Sequence, residues 1–261
     1  MRAPLRASAR RRSIGGMRSD AGAGAAAAVA AGRVLGSAGV CLMPSVDVLA
    51  CLGVGGAEWE RFAAHWDDLV VDRYAAARGT RRLRRYGKFV LTGAGELRPR
   101  SHGTFVQPDD TNRLYVGVER RFEPLTDAFV ADPVFGKLVG LLGVLARGLE
   151  EERDEWVVLV HPFRVIAVAG QDGQPTPEGR HRDGVTLVTS LLVGRENAVG
   201  GRSAVYDDGG APLLAATLDE PGALLLGDDR RTEHEVSPIR PLDPAAQAHR
   251  DVLVTTLLPV G

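Results

Sequence analysis

The sequence predicts an α+β protein in which a helical N-terminal part packs on a C-terminal β-barrel or jelly roll. Helical periodicity dominates up to about residue 150. After about residue 155, short β-rich runs alternate with turn sequences rich in Gly, Pro and Asp, as in barrels and sandwiches. No helix-length pattern interrupts these runs, which disfavours a parallel βαβ sheet.

The bulk composition indicates a soluble protein. The chain has 261 residues, of which 44% are hydrophobic, and this is enough for a sizeable core. The formal net charge of −1 gives no general attraction to nucleic acid or anionic lipid. The longest apolar runs, at 138–146 and 185–194, are shorter than the roughly 20 residues of a membrane-spanning helix. We therefore expect neither a nucleic-acid nor a membrane partner, and the sequence does not indicate an oligomeric state.

The two cysteines, Cys41 and Cys51, have no CxxC spacing and no nearby candidate ligands. Neither a disulfide framework nor a zinc ribbon is indicated, and we expect plain thiols. Free thiols are typical of a reducing compartment, so the expected location is the cytoplasm.

The first 36 residues differ from the rest of the chain. Residues 1–33 contain seven Arg, a single acidic residue and the run "AGAGAAAAVAAG". We expect residues 1–36 to be a disordered basic extension, with a targeting signal or a nucleic-acid arm as the alternatives. Residues 37–261 then form a single domain, with a helical part at about 57–150 and a jelly-roll part at about 155–261.

Two helical patterns are expected before the β-rich part. Residues 57–86 place Trp59, Phe62 and Trp66 near helical spacing, and Gly79 ends this pattern. A second pattern covers about 124–149 with a break near Pro133. The Arg-rich segment "RRLRRYGKF" (81–89) is typical of a solvated or anion-facing edge, and a nucleic-acid surface is the alternative.

His181 and Asp183 lie two positions apart where a turn-like segment enters the long apolar run "GVTLVTSLLVG". Residues i and i+2 of a strand project to the same face, and His234 lies on another predicted strand 53 residues later. Two imidazoles and one carboxylate form the facial triad of non-haem Fe(II) oxygenases. Side chains more than about 8 Å from a common centre would exclude a shared ion. The alternative is that these are ordinary loop and surface residues.

Arg250 opens the final strand, "RDVLVTTLLP". A guanidinium at the entrance of an apolar strand is costly unless it pairs with an anion, and its planar fork matches a carboxylate. Thr256 shares its face by strand alternation and can donate a second hydrogen bond.

Three further polar residues are candidates for the lining of a substrate pocket. They are Arg164 in "HPFRV", and Arg195 and Asn197 in "GREN", with surface turns and strand-edge ion pairs as the alternative. His161 precedes a proline, and we expect it to be a structural histidine.

The segments "GRHRDGVTLVTSLLVGRENAVGGRSAVYDDGG", "LLLGDDRRTEHEVSPIRP" and "HRDVLVTTL" resemble the 2-oxoglutarate- and Fe(II)-dependent dioxygenases related to bacterial L-isoleucine 4-hydroxylase. The resemblance covers about residues 57–259. It implies a double-stranded β-helix, a jelly-roll or cupin-like core, with N-terminal helices packed on it. It also implies that His181, Asp183 and His234 bind Fe(II), and that Arg250 anchors 2-oxoglutarate.

The implied reaction uses O2 and 2-oxoglutarate, releases succinate and CO2, and hydroxylates a free amino acid or a related small metabolite. One departure from the family pattern is Arg202 in "GGRS", where an acidic residue is expected, and this departure bears on the substrate. Two alternatives remain: a protein or peptide hydroxylase of the same chemistry, and a cupin-like metal-binding isomerase or binding module.

Overall fold

The computed structural model describes residues 14–101 and 120–261, with side chains from residue 22 onward. The helices are α1 (Ile14–Ala38), α2 (Ser45–Leu52), α3 (Gly56–Ala63), α4 (Arg73–Ala76), α5 (Asp127–Val130) and α6 (Pro133–Leu149), with a 3₁₀ helix at Ala64–Asp68. The strands are β1 (Val40–Met43), β2 (Val70–Val71), β3 (Arg82–Arg84), β4 (Gly87–Leu91), β5 (Leu97–Pro99), β6 (Trp156–Ala167), β7 (Leu187–Glu196), β8 (Ala198–Gly200), β9 (Arg202–Asp207), β10 (Pro212–Thr217), β11 (Leu224–Asp228), β12 (Thr232–Val236), β13 (Ile239–Pro241) and β14 (Ala248–Pro259). In this part of the chain, no helix has the length and apolarity that crossing a bilayer requires.

The strands form two main antiparallel sheets. Over the described residues, the larger sheet has the order β1-β11-β7-β14-β6-β3-β2, and β4 pairs with β6 and β5. The smaller sheet has the order β10-β9-β12. An isolated bridge between His181 and His234 adds the segment before β7 to the edge of the smaller sheet. The predicted α+β class, with a predominantly antiparallel β-rich C-terminal part, is confirmed.

Strand β14 is the centre of the larger sheet, and its two faces have different tasks. Leu253 and Leu257 are fully buried and belong to the same apolar cluster as Leu138 and Leu142 of α6. Burial of each such leucine contributes roughly 1.5–3 kcal/mol. The alternate residues face the opposite side, where they line a cavity between the two sheets. The helices therefore cover one face of the larger sheet and leave the other face for the site.

The N-terminal region differs from the expected disordered extension. Residues 14–38 form helix α1, and Ala31 and Leu35 are buried in the main apolar cluster. The alanine-rich run has high helix propensity, and the absence of a side chain at Gly24 lets α1 approach α2 closely, since a Cβ there would lie 2.4 Å from the Ala50 carbonyl oxygen. Composition alone indicated low complexity, whereas packing against α2 and α6 stabilises the helix. Residues 1–13 lie outside the described residues.

The expected helix at 57–86 is divided into shorter elements. Phe62 and Trp66 are fully buried, as the periodicity predicted. The helical pattern stops at the β-branched pair Val70–Val71, which pairs with β3. Asp72 then begins α4, because its carboxylate accepts the backbone N–H groups of Tyr74 and Ala75.

The second expected helix breaks at the predicted place. Asp132 accepts the N–H of Val134 at 2.8 Å, and Pro133 occupies the first turn of α6.

We predict that Leu35→Ala destabilises the full-length protein by about 2–5 kcal/mol, since truncation of a buried leucine leaves a cavity. Val34→Ala, one position along the same helix, is the matched control because Val34 is 46% exposed. Its effect should be within about 0.5 kcal/mol. Urea unfolding measures both values, and equal effects would contradict the packing of α1.

Candidate active site

A cavity of about 410 Å³ lies between the two sheets. Strands β6, β7 and β14 of the larger sheet form one side, and β9 and β12 of the smaller sheet form the other. His181, Asp183, His234, Arg250 and Thr256 all line it. The volume lies within the range of roughly 300–1,000 Å³ that is typical of small-molecule sites.

The backbone places the two histidines side by side. The His181 N–H donates to the His234 carbonyl at 3.1 Å, and the His234 N–H donates to the His181 carbonyl at 2.9 Å. Residues opposed in this way bring their side chains together, and the two ring centroids are 4.4 Å apart. This one pairing joins parts of the chain that are distant in sequence.

Asp183 completes a group of three possible ligands. Its Oδ1 lies 3.8 Å from His181 Nε2, and its Oδ2 lies 3.9 Å from His234 Nε2. One ligand atom from each of the three residues lies within 4.8 Å of the others. Ligands at neighbouring positions of an octahedral ion, with bonds of about 2.1 Å, are roughly 3 Å apart. Side-chain movements of about 1 Å therefore suffice for the group to share an ion.

A hydrogen bond orients the imidazole of His181, and a nearby carboxylate lies beside that of His234. Nδ1 of His181 lies 2.8 Å from the Gly179 carbonyl, to which it can only donate, so Nε2 keeps its lone pair. Nδ1 of His234 is buried without a hydrogen bond in the described structure and lies 3.8 Å from Asp229 Oδ1. Both Nε2 atoms are thus available on the side of Asp183.

Asp229 holds the segment that carries Asp183. Its buried carboxylate accepts the backbone N–H groups of Asp183 (3.2 Å), Gly184 (2.7 Å) and Val185 (3.1 Å). Burial, and then the charge of Asp183, raises the pKa of Asp229. Three donated N–H groups stabilise its charged form against this cost.

Burial also shifts the pKa values of Asp183 and His234, two of the three candidate ligands. It lowers the pKa of His234 to about 4, with a further contribution from His181 that Asp229 partly offsets. Burial raises the pKa of Asp183, and His181 partly offsets this effect. His234 is therefore a neutral imidazole near neutral pH, which is the form that binds a metal. The carboxylate of Asp183 beside the neutral imidazole of His234 fits a divalent cation.

Arg250 offers a separate anchor for an anion. It is 1% exposed, and its Nε and Nη2 are buried without a hydrogen-bond partner among the described residues. Burial, and then the charge of Arg195, lowers its pKa to about 10, with Asp251 opposing this shift. The guanidinium remains charged near neutral pH, and its unused donors fit a carboxylate. Thr256 lines the same cavity three cavity-facing positions further along β14.

The three predicted pocket residues, Arg164, Arg195 and Asn197, are not among the described residues that line this cavity. Arg164 pairs with Asp251 through two hydrogen bonds of 2.8 and 2.7 Å on the other face of β6. Arg195 donates to the carbonyls of Leu218, Ala198 and Gly200.

Asn197 has a left-handed backbone, with φ of 51°, and its side chain holds the 243–247 loop. Arg164 points away from the cavity because of strand alternation, since the cavity face of β6 carries the odd-numbered residues.

Other cavity residues were missed by the sequence analysis. Arg82 and Arg84, expected at a solvated or anion-facing edge, are buried and line the cavity together with His161, which was expected to be structural. Glu178 Oε1 lies 3.5 Å from His181 Nε2. The period-two spacing of Arg82 and Arg84 is the signal that indicates a shared face of a strand.

The fold and the site are typical of one class of enzyme, in which two imidazoles and one carboxylate form a facial group beside a buried arginine in a cavity. Comparisons agree with this class. The profile of the family described as 2OG-Fe dioxygenase matches residues 63–256. The chain therefore belongs to this family.

Solved structures share the fold of this chain. A bsmA homolog from Methylobium petroleophilum PM1 is 34% identical, with 90% of this chain and 94% of that chain covered and a TM-score of 0.82. IDO from Bacillus thuringiensis is 16% identical, with 90% and 96% covered and a TM-score of 0.73. The Fe(II)/α-ketoglutarate-dependent dioxygenase TqaL is 18% identical, with 92% and 89% covered and a TM-score of 0.72. The last two likenesses show the fold alone. No curated protein matches the sequence significantly.

The protein is therefore a 2-oxoglutarate-dependent dioxygenase whose cofactor is Fe(II) and whose cosubstrates are 2-oxoglutarate and O2. The donor set described above fits these groups. Neutral imidazole and carboxylate suit a ferrous ion, and the unused donors of Arg250 suit a dicarboxylate.

We predict that Asp229→Asn lowers the affinity for Fe(II) about 10- to 100-fold, the usual effect of removing a group that orients metal ligands. An amide can neither match the charge beside His234 nor accept all three N–H groups through two oxygens. Anaerobic equilibrium dialysis measures the affinity, with Asp219→Asn as the control because Asp219 is exposed. Equal affinities in two folded variants would show that Asp229 does not position the ligands.

Proposed function

We propose that this dioxygenase hydroxylates a free amino acid or a related small aliphatic metabolite. The observation that carries the proposal is the occurrence of the His181–Asp183–His234 group and the unpaired donors of Arg250 in one cavity of about 410 Å³. The resemblance to bacterial L-isoleucine 4-hydroxylase supports the aliphatic amino acid.

His181 and His234, through Nε2, and Asp183, through a carboxylate oxygen, hold the iron in this proposal. Arg250 binds the distal carboxylate of 2-oxoglutarate, and Thr256 donates a second hydrogen bond to the cosubstrate. We assign the two sheets that carry these residues to a double-stranded β-helix; the support is that β6, β14, β7 and β11 face β12 and β9 across the cavity.

The bound iron and 2-oxoglutarate supply the oxidation, in which O2 places one oxygen atom in succinate, formed with loss of CO2, and the other in a C–H bond of the substrate. The protein positions the substrate and excludes water from the cavity. Val188, Leu225, Val252 and Val254 form an apolar wall of the cavity, against which an aliphatic side chain can pack. A fixed alkyl group presents one C–H bond to the reacting centre.

The cavity favours a small molecule over a polypeptide. The support for a peptide hydroxylase in the sequence was the cluster of arginines at 81–85, which would serve an open groove. Arg82 and Arg84 are instead buried in the cavity wall, with exposures of 8% and 3%.

We predict that one or a few aliphatic amino acids, in a panel of the twenty free amino acids, increase succinate formation from 2-oxoglutarate in the presence of Fe(II) and ascorbate. Mass spectrometry should show a gain of one oxygen atom in the stimulating compound. If uncoupled succinate formation occurs but no amino acid or related acid stimulates it, the substrate class is wrong. If no succinate forms under any condition, the assignment of the site is wrong.

We predict that Arg250→Gln raises the KM for 2-oxoglutarate by about thirtyfold or more, because loss of a buried charged partner typically costs about 2–5 kcal/mol. Arg240→Gln is the matched control, since Arg240 is 69% exposed and pairs with Asp172 at the surface. Initial rates of succinate formation measure both. Unchanged kinetics for Arg250→Gln would show that Arg250 does not bind the cosubstrate.

A further inference from the structure

A second cationic group lies in the cavity wall on strand β3. Arg84 is 3% exposed, and its Nη2 lies 2.7 Å from Nδ1 of His161 on β6. Both side chains line the cavity. In the larger sheet, β6 lies between β3 and β14, so Arg84 and Arg250 reach the cavity from different strands.

The buried carboxylate of Asp72 lies near the guanidinium groups of both Arg82 and Arg84. Its Oδ2 accepts Nε and Nη2 of Arg82 at 3.0 and 2.8 Å, while its Oδ1 accepts the N–H groups that begin α4. Arg84 Nη1 lies 3.8 Å from Asp72 Oδ2, which is too far for a hydrogen bond. Arg82 is therefore hydrogen-bonded to this carboxylate, whereas Arg84 interacts with it only through charge.

His161 does not compensate the charge of Arg84. Burial, and then the charge of Arg84, keeps the pKa of His161 well below its usual value, so the ring is neutral and accepts through Nδ1. Nε of Arg84 is buried without a hydrogen bond in the described structure. Burial, and then Arg82, lowers the pKa of Arg84. A buried cation with an unused donor is costly unless an anion joins it.

Aromatic rings fix the plane of the guanidinium. The centroid of the Phe122 ring is 3.5 Å from Cζ of Arg84, and that of Phe163 is 4.7 Å from it. His161 stacks on Tyr86, with ring centroids 5.0 Å apart. This stacking also fixes the ring whose Nδ1 accepts the hydrogen bond from Arg84. A planar fork held in this way is suited to a carboxylate, which it can bind through two parallel hydrogen bonds.

We propose that Arg84, held by His161 and the two phenylalanine rings, binds the carboxylate of the primary substrate. Arg250 binds 2-oxoglutarate in the same cavity, so the inference rests on the proposed function. The substrate class is then narrowed to aliphatic carboxylic acids, including free amino acids, whose alkyl part packs on the apolar wall. Amides and esters of the same acids lack the required charge.

The first test compares acids with their amides on the wild-type enzyme loaded with Fe(II) and 2-oxoglutarate. The probes are the free L-amino acids, their α-carboxamides, 4-methylpentanoate and 4-methylpentanamide. Succinate formation above the uncoupled rate is the readout. We expect only acids to stimulate, and an amide that stimulates as well as its acid would overturn the proposal.

The second test uses Arg84→Gln, with Arg81→Gln as the matched control, because Arg81 is exposed, lies outside the cavity and donates to Gln171. We expect Arg84→Gln to raise the KM for the stimulating acid at least tenfold more than the KM for 2-oxoglutarate. Arg84→Lys should recover part of this loss, since lysine keeps the charge without the fork. Arg81→Gln should leave both values unchanged.

Two kinetic results would overturn the proposal. An equal or larger effect of Arg84→Gln on the KM for 2-oxoglutarate would place Arg84 at the cosubstrate, and an unchanged KM for the acid would make its role structural. If Arg84→Gln does not fold, the acid-to-amide comparison decides. If no acid stimulates the wild-type enzyme, the carboxylate site is excluded, whereas uncoupled succinate formation still supports the iron and 2-oxoglutarate sites.

Discussion

The pair of backbone hydrogen bonds between His181 and His234 is the constraint on which the site depends. It closes the edge of the smaller sheet and sets the distance between two imidazoles that come from separate segments. Asp183 follows the bridge on irregular backbone, so the bridge alone does not fix its position. Asp229 fixes this segment by accepting three consecutive backbone N–H groups. The ligands are therefore organised by the backbone before any ion binds, which reduces the cost of ordering them.

The two faces of the larger sheet have different roles, one in the stability of the fold and the other in the site. One face meets α6 and α1 through leucines that are fully buried, and the other face lines the cavity. Because the apolar cluster is on the helix side, the cavity side can hold Arg84 and Arg250 with unused donors. Such groups destabilise an empty cavity, and the main core offsets their cost. The same groups give the cavity a positive character that attracts anionic ligands.

The sequence was sufficient to predict the cavity residues whose positions follow from the alternation of side chains along a strand. The spacing of His181 and Asp183, the late His234 and the cavity-facing series from Arg250 to Thr256 all obey the period of two. The inward orientation expected for Arg164 is not found, because the sequence alone does not show which residues of β6 face the cavity. That depends on the register of β6 with β14. Arg84 was missed because its burial depends on Asp72, His161 and Phe122, which come from distant segments. Helix α1 was missed because an alanine-rich run has no amphipathic pattern, and packing against α2 was not visible.

Strand β14 places Arg250 and Asp251 on opposite faces, the first toward the cavity and the second toward Arg164. A deletion of one residue in this strand would exchange the two groups. An acid would then point into the cavity, and a guanidinium would meet that of Arg164 on the other face. The adjacent opposite charges therefore favour the native register of β14. A shift of one residue would place an unfavourable charge on both faces of the sheet.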